Sequence, residues 1–441
     1  MKTLIQNIQL LTMDANYTQH ADAYVVIEGN LIQSYGDMAD LDMSAQHFDD
    51  IIDGKGAIAM PGMVNTHTHV GMIPFRSLGD DTPDRLTRFL FPLEHACMTK
   101  ELAYHSAKYA IAEMQLAGVT TFFDMYYFED QIAVATDEMQ ARAILGESVI
   151  DKSPDSTEPY GGLSYSESFI PKWLGHDRIT PAVAPHAPYT NTDESLIAAS
   201  QLARKYQIPF SIHLSEMSFE MDKYRELHQQ TPDQYLHSLG IWDDRTLAAH
   251  CIFVTDTDIA LMQAQGVSVA HCIGANTKSA KGVAPLQAML DAGLQVGLGT
   301  DGPSSGNTLD LFTQMRMVAN FHKTHTHNRA AFPARDIVRL ATLGGAEAIG
   351  MADTIGSIEL GKKADIVLIE TQSVNMFPIF DPYSALVYSA NAANVSHVWV
   401  DGQLVVNNKE LLTASVTDLR ENLVTEMTYF KEKAMEFSQD L

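Results

Sequence analysis

The chain opens with short stretches in which apolar and polar residues alternate: Leu4-Ile-Gln-Asn-Ile-Gln-Leu, Ala23-Tyr-Val-Val-Ile and Leu31-Ile-Gln-Ser-Tyr, the last two separated by Glu28-Gly-Asn. A period of two with turn residues between the runs predicts hairpins of a small β module. From about Pro61 to about Gly350 the pattern changes to apolar run, loop and amphipathic helix. Glu101-Leu-Ala-Tyr-His-Ser-Ala-Lys-Tyr-Ala-Ile-Ala-Glu-Met-Gln, followed by Gly118-Val-Thr-Thr-Phe-Phe-Asp124, is typical. That alternation predicts βα units around a parallel sheet. After Gly361-Lys-Lys-Ala-Asp365 the hairpin style returns, in Ile366-Val-Leu-Ile and in His397-Val-Trp-Val-Asp-Gly-Gln-Leu-Val-Val, where Asp401-Gly402 marks a tight turn. From about Thr417, Leu419, Leu423, Met427 and Phe430 fall on one helical face, a packing stripe.

The expected fold class is therefore α/β: a (β/α)8 TIM-type barrel over residues 61–355, flanked by a β-sandwich built from both chain ends. Residues 1–60 would give its first part, and 356–441 its second part plus a terminal helix.

Composition narrows the function classes. The 441 residues are 46% hydrophobic, enough for a sizeable core, and 55 acidic against 29 basic residues give a formal charge of −26. Such a surface repels phosphate backbones, which argues against nucleic acid and anionic membrane as partners and leaves a small-molecule substrate. No apolar run is long enough to span a bilayer, and the N-terminal residues lack a signal-peptide pattern. Cys97, Cys251 and Cys272 are an odd count without a close pair, so no disulfide framework is expected. A reducing cytoplasm fits best.

Candidate chemistry begins at Pro61-Gly-Met-Val-Asn-Thr-His67-Thr-His69, where an apolar lead-in delivers two imidazoles one residue apart. Alternate strand residues share a face, so both rings can grip one metal ion. Three further runs have the same build: Phe210-Ser-Ile-His213-Leu-Ser-Glu216, Thr246-Leu-Ala-Ala-His250 and Gln295-Val-Gly-Leu-Gly-Thr-Asp301. In a (β/α)8 barrel the C-terminal strand ends meet at one mouth, so these side chains are expected to converge.

With Ala-Pro-His186-Ala-Pro-Tyr and His271-Cys-Ile-Gly-Ala-Asn276-Thr-Lys added, these motifs resemble the amidohydrolase superfamily over nearly the whole chain. The branch is that of S-adenosylhomocysteine and methylthioadenosine deaminases and triazine hydrolases. The resemblance implies one divalent ion held by His67, His69, His213 and Asp301. Three imidazoles and a carboxylate suit zinc, with iron or manganese as alternatives. Two-metal relatives carry a bridging lysine where the strand here ends in His186, so a mononuclear site and hydrolytic deamination are expected.

The same resemblance assigns catalytic roles. Glu216 would protonate the ring nitrogen beside the target carbon, its pKa raised by a desolvated pocket. Asp301 would combine ligand and base, and His250 would hydrogen-bond the nucleophile. His186 would contact sugar hydroxyls; His271 reads as a contact to substrate or to a residue that touches it, with a satisfied core histidine as the equal alternative. Glu147 stands about where carboxylate-holding relatives carry arginine, which favours methylthioadenosine, adenosine or 5'-deoxyadenosine over S-adenosylhomocysteine. Arg76 or Arg85 could restore that contact, although both read first as loop charges. His322, His325 and His327 read as surface or pocket rim rather than a second metal site. Alternatives are a guanine-like base, a pterin or a chloro-s-triazine as substrate, and, from another class, a non-catalytic barrel acting in assembly. A homo-oligomer is expected from the family resemblance.

Overall fold

A computed structural model describes residues 1–44 and 47–438, the side chain of Ser438 excepted. Its strands are β1 (Lys2–Leu11), β2 (Gln19–Glu28), β3 (Leu31–Asp37), β4 (Asp50–Pro61), β5 (Met63–Thr68), β6 (Val119–Tyr126), β7 (Arg142–Val149) and β8 (Ile179–Pro185). They continue as β9 (Phe210–Leu214), β10 (Thr246–His250), β11 (Ser268–His271), β12 (Val296–Leu298), β13 (Ile366–Ile369), β14 (Val395–Val400), β15 (Gln403–Asn407) and β16 (Glu410–Leu411). They form two eight-stranded sheets.

Strands β5 to β12 lie side by side in sequence order, all parallel, with helices between them. The sheet returns on itself where Asp301 N–H donates to the His67 carbonyl at 3.0 Å. Beside it, Asn65 exchanges two hydrogen bonds with Thr300, at 2.8 and 3.0 Å. Strand period sets the layers: Val64, Phe123, Ile144, Ala182, Leu247 and Ala270 meet in the barrel interior. Leu145 and Val269, one residue along, join the layer beneath the helices. Each valine, leucine, isoleucine or phenylalanine so buried contributes roughly 1.5–3 kcal/mol.

The second sheet runs β16-β15-β14-β13-β4-β1-β2-β3, so strands from the two chain ends pair at β13 and β4. Along β4, Ile58 and Met60 face the barrel while Ala57 and Ala59 face a second core around Trp399. The chain passes directly into β5 through Gly62, where a Cβ would stand 2.2 Å from Thr120. Arg142, at the start of β7, ties the two bodies by donating to Asp365 and Asp401 at 3.1 and 3.2 Å. The expected barrel and flanking sandwich are thus both present. Asp401 and Gly402 have φ of 50° and 76°, the left-handed pair of a type I′ hairpin turn. The helix Val416–Ser438 buries Leu419, Leu423 and Phe430, with Phe430 edge-on to Phe75 in the loop after β5.

Candidate metal centre

Three strand ends deliver the cluster. His67 and His69 follow register shifts in β5, His213 lies on the inward face of β9, and Asp301 follows β12. Ligand-type atoms of His67, His69, His213 and Asp301 all lie within 4.8 Å of one another. His213 Nε2 is 3.2 Å from His67 Nε2 and 3.3 Å from His69 Nε2, and His69 Nε2 is 3.1 Å from Asp301 Oδ1. Donors about 2.0–2.1 Å from one tetrahedral ion stand apart by roughly this much.

The outer ring atoms fix the tautomers. His69 Nδ1–H donates to the Met125 carbonyl at 2.5 Å, and His213 Nδ1–H to the His186 carbonyl at 2.6 Å, which leaves both Nε2 lone pairs aimed inward. Burial and neighbouring imidazoles hold His67 and His213 well below the usual histidine range. Burial opposes charge on His69 too, but Asp301 outweighs it and lifts the ring to about 9. The set fits a divalent cation on geometry and donor chemistry alike.

Around the cluster the backbone is held in left-handed conformations that non-glycine residues rarely adopt: Ser215, His250, Cys251 and Asp301 have φ of 48°, 72°, 49° and 58°. Strain of this kind collects at functional sites. His250 Nδ1–H donates to Asn276 Oδ1 at 2.8 Å, and its buried Nε2 has no partner. That Nε2 stands 3.7 Å from Glu216 Oε1 and 4.0 Å from Asp301 Oδ2. Glu216 is only 6% exposed, yet its carboxyl is not raised as the sequence led us to expect. Burial pushes it up, but His250 and the Lys281 ammonium, 2.5 Å from Oε1, outweigh burial and bring it down to about 2. Lys281 shifts upward in turn, because Glu216 outweighs its own burial.

Two expected substrate contacts do not reach the mouth. Glu147 shares the helix-facing side of β7 with Leu145, is fully buried, and accepts from Glu129 N–H at 3.0 Å. Burial and the facing Asp155 and Glu129 push its carboxyl well above the usual range. Its carboxyl lies on the helix-facing side of β7 against Glu129 and Asp155, turned away from the cleft. His271 likewise lies on the outward side of β11, its Nε2 2.9 Å from His322 Nε2. His322 is thereby corrected as well: it is 2% exposed and packed against Phe332, whereas His325 and His327 are exposed. Arg76 pairs with Glu113, and Arg85 binds the Ser304 and Leu78 carbonyls, so both serve loops.

His186 remains at the mouth, its ring 4.7 Å from that of His213 and 5.4 Å from Phe91, with Nδ1 3.1 Å from Thr190 Oγ1. Burial holds it at about 4, hence neutral. A cavity of about 610 Å³ opens beside it, lined by Phe91, Glu94, Tyr127, Ile150, Lys152 and Tyr189. Small-molecule sites fall within roughly 300–1,000 Å³. Glu94, which sequence reasoning missed, accepts from Tyr126 Oη at 2.8 Å, and burial lifts it to about 7. Nothing in its helix pattern distinguishes it. Asn276 and Lys281 were missed as well; Asn276 stood in a recognised motif, and Lys281 in no motif.

An α/β barrel with three histidines and an aspartate gathered at its strand ends defines the class of metal-dependent barrel hydrolases. Residues 58–405 match the model of the amidohydrolase family, and the chain belongs to that family. It is 37% identical over 416 residues, 93% of each chain, to a 5-methylthioadenosine/S-adenosylhomocysteine deaminase of Syntrophus aciditrophicus. A 5'-deoxyadenosine deaminase of Methanosphaera stadtmanae is 37% identical over 400 residues, 90% of this chain and 92% of its own. Among solved structures, an adenosine deaminase of Xanthomonas campestris with bound zinc matches with a TM-score of 0.94 at 30% identity, covering 98% of each chain.

Proposed function

We propose that this protein is a metal-dependent hydrolytic deaminase that replaces the exocyclic amine of an adenosine-type nucleoside with oxygen and releases ammonia. The relatives just described support the substrate class: 5'-methylthioadenosine, adenosine, 5'-deoxyadenosine or S-adenosylhomocysteine. The observation that carries the chemistry is the convergence of His67, His69, His213 and Asp301 with the acid/base groups Glu216 and His250. A divalent ion in this donor set, zinc by preference, supplies Lewis acidity and lowers the pKa of a coordinated water toward about 7.

The chain's own residues handle the protons. Glu216 starts as a carboxylate, takes one proton of the attacking water, and gives it to the ring nitrogen beside the target carbon. That order replaces the stored-proton role expected from sequence. As the C–O bond forms, Asp301 accepts the second proton and returns it to the amine, so the C–N bond breaks with neutral ammonia leaving. His250, fixed through Asn276, turns its unpartnered Nε2 toward the attacking oxygen. Glu94, on the cavity wall, and His186, packed beside its Phe91, offer polar groups for sugar hydroxyls. Lys152 at the rim offers a cation to a carboxylate, which keeps S-adenosylhomocysteine among the substrates.

Three buried free thiols favour a reducing compartment, and among the described residues no helix is long and apolar enough to cross a membrane. Val374, Phe377 and Phe380, at 96%, 84% and 94% exposure, support a homo-oligomer. The function is tested by metal-dependent ammonia release from the four nucleosides, with guanine and a pterin alongside. Release from the nucleosides, lost in Glu216→Gln, is expected. Release from guanine or pterin alone would retain the chemistry and refute the nucleoside assignment.

A further inference from the structure

Glu216 is fixed at both ends by different elements. Its backbone N–H donates to Glu220 Oε2 at 3.1 Å, and its Oε1 receives the Lys281 ammonium at 2.5 Å. Lys281 follows the short helix Ile273–Lys278, in a turn where Ala280 has φ 54° and Lys281 N–H donates to the Asn276 carbonyl at 3.0 Å. From this one turn the Asn276 side chain reaches His250, Lys278 reaches Asp80 at 2.9 Å and Asn307 at 3.1 Å, and Lys281 reaches Glu216. The segment therefore supports both acid/base groups at once. Its lysines diverge: Lys278 binds the half-buried loop residues Asp80 and Asn307, whereas the Lys281 side chain is 20% exposed and points into the site.

Apart from Lys281 and the imidazoles of His250 and His213, the charged groups facing Glu216 are carboxyls. Glu220 and Asp233 lie behind it, and Asp301 stands across the mouth. Glu220, four residues on and without a cation, is pushed by burial and Asp233 up to about 8. Burial and acidic neighbours thus neutralise a glutamate here unless a positive charge intervenes. A carboxylate that must accept a proton and hand it on needs both that charge and a fixed orientation.

We propose that Lys281 is a positioning residue for the deamination, its ammonium fixing the Glu216 carboxylate in the orientation and anionic form that receive the attacking water's proton. The inference rests on the function proposed above and adds a residue to its machinery. Lys281 acts through Glu216.

Two measurements on the metal-loaded protein test it. In kinetics with methylthioadenosine, Lys281→Met should lower kcat about ten- to a hundredfold, part of the roughly 10²–10⁴-fold that a general acid/base supplies. KM should stay within about twofold and bound metal unchanged, and Lys281→Arg should restore most of kcat. Infrared difference spectroscopy, with the band assigned through Glu216→Gln, should show the Glu216 carboxylate protonating at a pH about one to three units higher in Lys281→Met. Lys281→Gln, a donor without charge, replaces the methionine variant if that protein does not accumulate. An unchanged infrared midpoint, or a loss confined to KM or thermal stability, overturns the proposal. If the unaltered protein releases no ammonia from any nucleoside, the functional reading fails separately, and the infrared midpoint alone decides whether Lys281 sets the state of Glu216.

Discussion

Glu216, beyond the end of β9, and Glu147, within β7, are 6% and 0% exposed, and both belong to the same barrel. Around Glu216 stand Lys281 and His250; around Glu147 stand Asp155, Glu129 and backbone N–H groups. Burial raises the carboxyl pKa in both places, but at Glu216 the Lys281 ammonium and the His250 ring reverse it to about 2, while at Glu147 like charges reinforce it. Burial alone therefore does not say whether a barrel glutamate is acid or base; the partner does. The mouth is a region where negative charge is balanced by cations. Behind it, from Asp124 through Glu129 and Glu147 to Asp155, runs a layer of acids linked to one another or to backbone N–H groups.

The comparison breaks most completely if the mouth loses its largest positive charge. Chelation should abolish ammonia release, and zinc should restore it. Bound metal also stabilises by mass action, by about 2.7 kcal/mol when free metal stands at 100 times Kd. A thermal melt that does not respond to chelator and zinc would remove the metal from the site.

Next in size is the exchange of each glutamate for its neutral isostere. Glu216→Gln should cost about 10²–10⁴-fold in kcat with metal content intact. Glu147→Gln should leave kcat within about twofold, because its carboxyl faces Glu129 and Asp155 on the helix side of β7 rather than the reacting groups. Parallel kinetics on the two variants checks this, and equal losses would erase the distinction between the regions.

A third variant asks what an acid does when its cation is withdrawn far from the mouth. Arg142→Met strands Asp365 at the junction between barrel and sandwich, while Asp401 keeps Lys363 at 3.1 Å, and breaking a buried pair of this kind costs about 3–5 kcal/mol. Denaturant unfolding should register that loss, while kcat of the folded fraction stays unchanged.

The ligand residues were legible because barrel topology forces chemistry to strand ends, and His67, His69, His213 and Asp301 each close an apolar run. Architecture was legible for a related reason: the switch from period-two hairpins to apolar strand and amphipathic helix, and back, marks where β4 enters β5 and where β13 returns. Glu147 was misplaced because its distance from the strand end was weighed and its parity was not. Counting from interior Ile144 turns residue 147 outward, and counting from Ala270 does the same for His271. Lys281 and His322 were out of reach for a different reason. Each meets its partner, Glu216 or His271, across a loop or helix whose path no local pattern encodes. The carboxylate form of Glu216 follows from that hidden partner, which is why the sequence pointed to the opposite starting charge.

The smallest effect is the one that isolates the acid layer. Glu220 at about 8, and Asp124, Asp233 and Glu94 at about 7, all have folded pKa values above their unfolded ones, as Glu147 does. Between the unfolded and folded values the native state holds more protons than the unfolded chain. Stability is therefore full below the unfolded carboxyl range, near about pH 4, and falls as pH rises through about 7 to 8. Glutamine at position 147 keeps an acceptor for Glu129 N–H, gains a donor for Asp155, and has no proton to lose. Melting curves at about pH 5 should then place Glu147→Gln within about 0.5 kcal/mol of the unaltered protein. As pH rises the unaltered protein should weaken more steeply, so that the variant becomes the more stable of the two. A variant that weakens in parallel would mean that Glu147 titrates like an ordinary carboxylate, and the contrast with Glu216 would collapse from the Glu147 side.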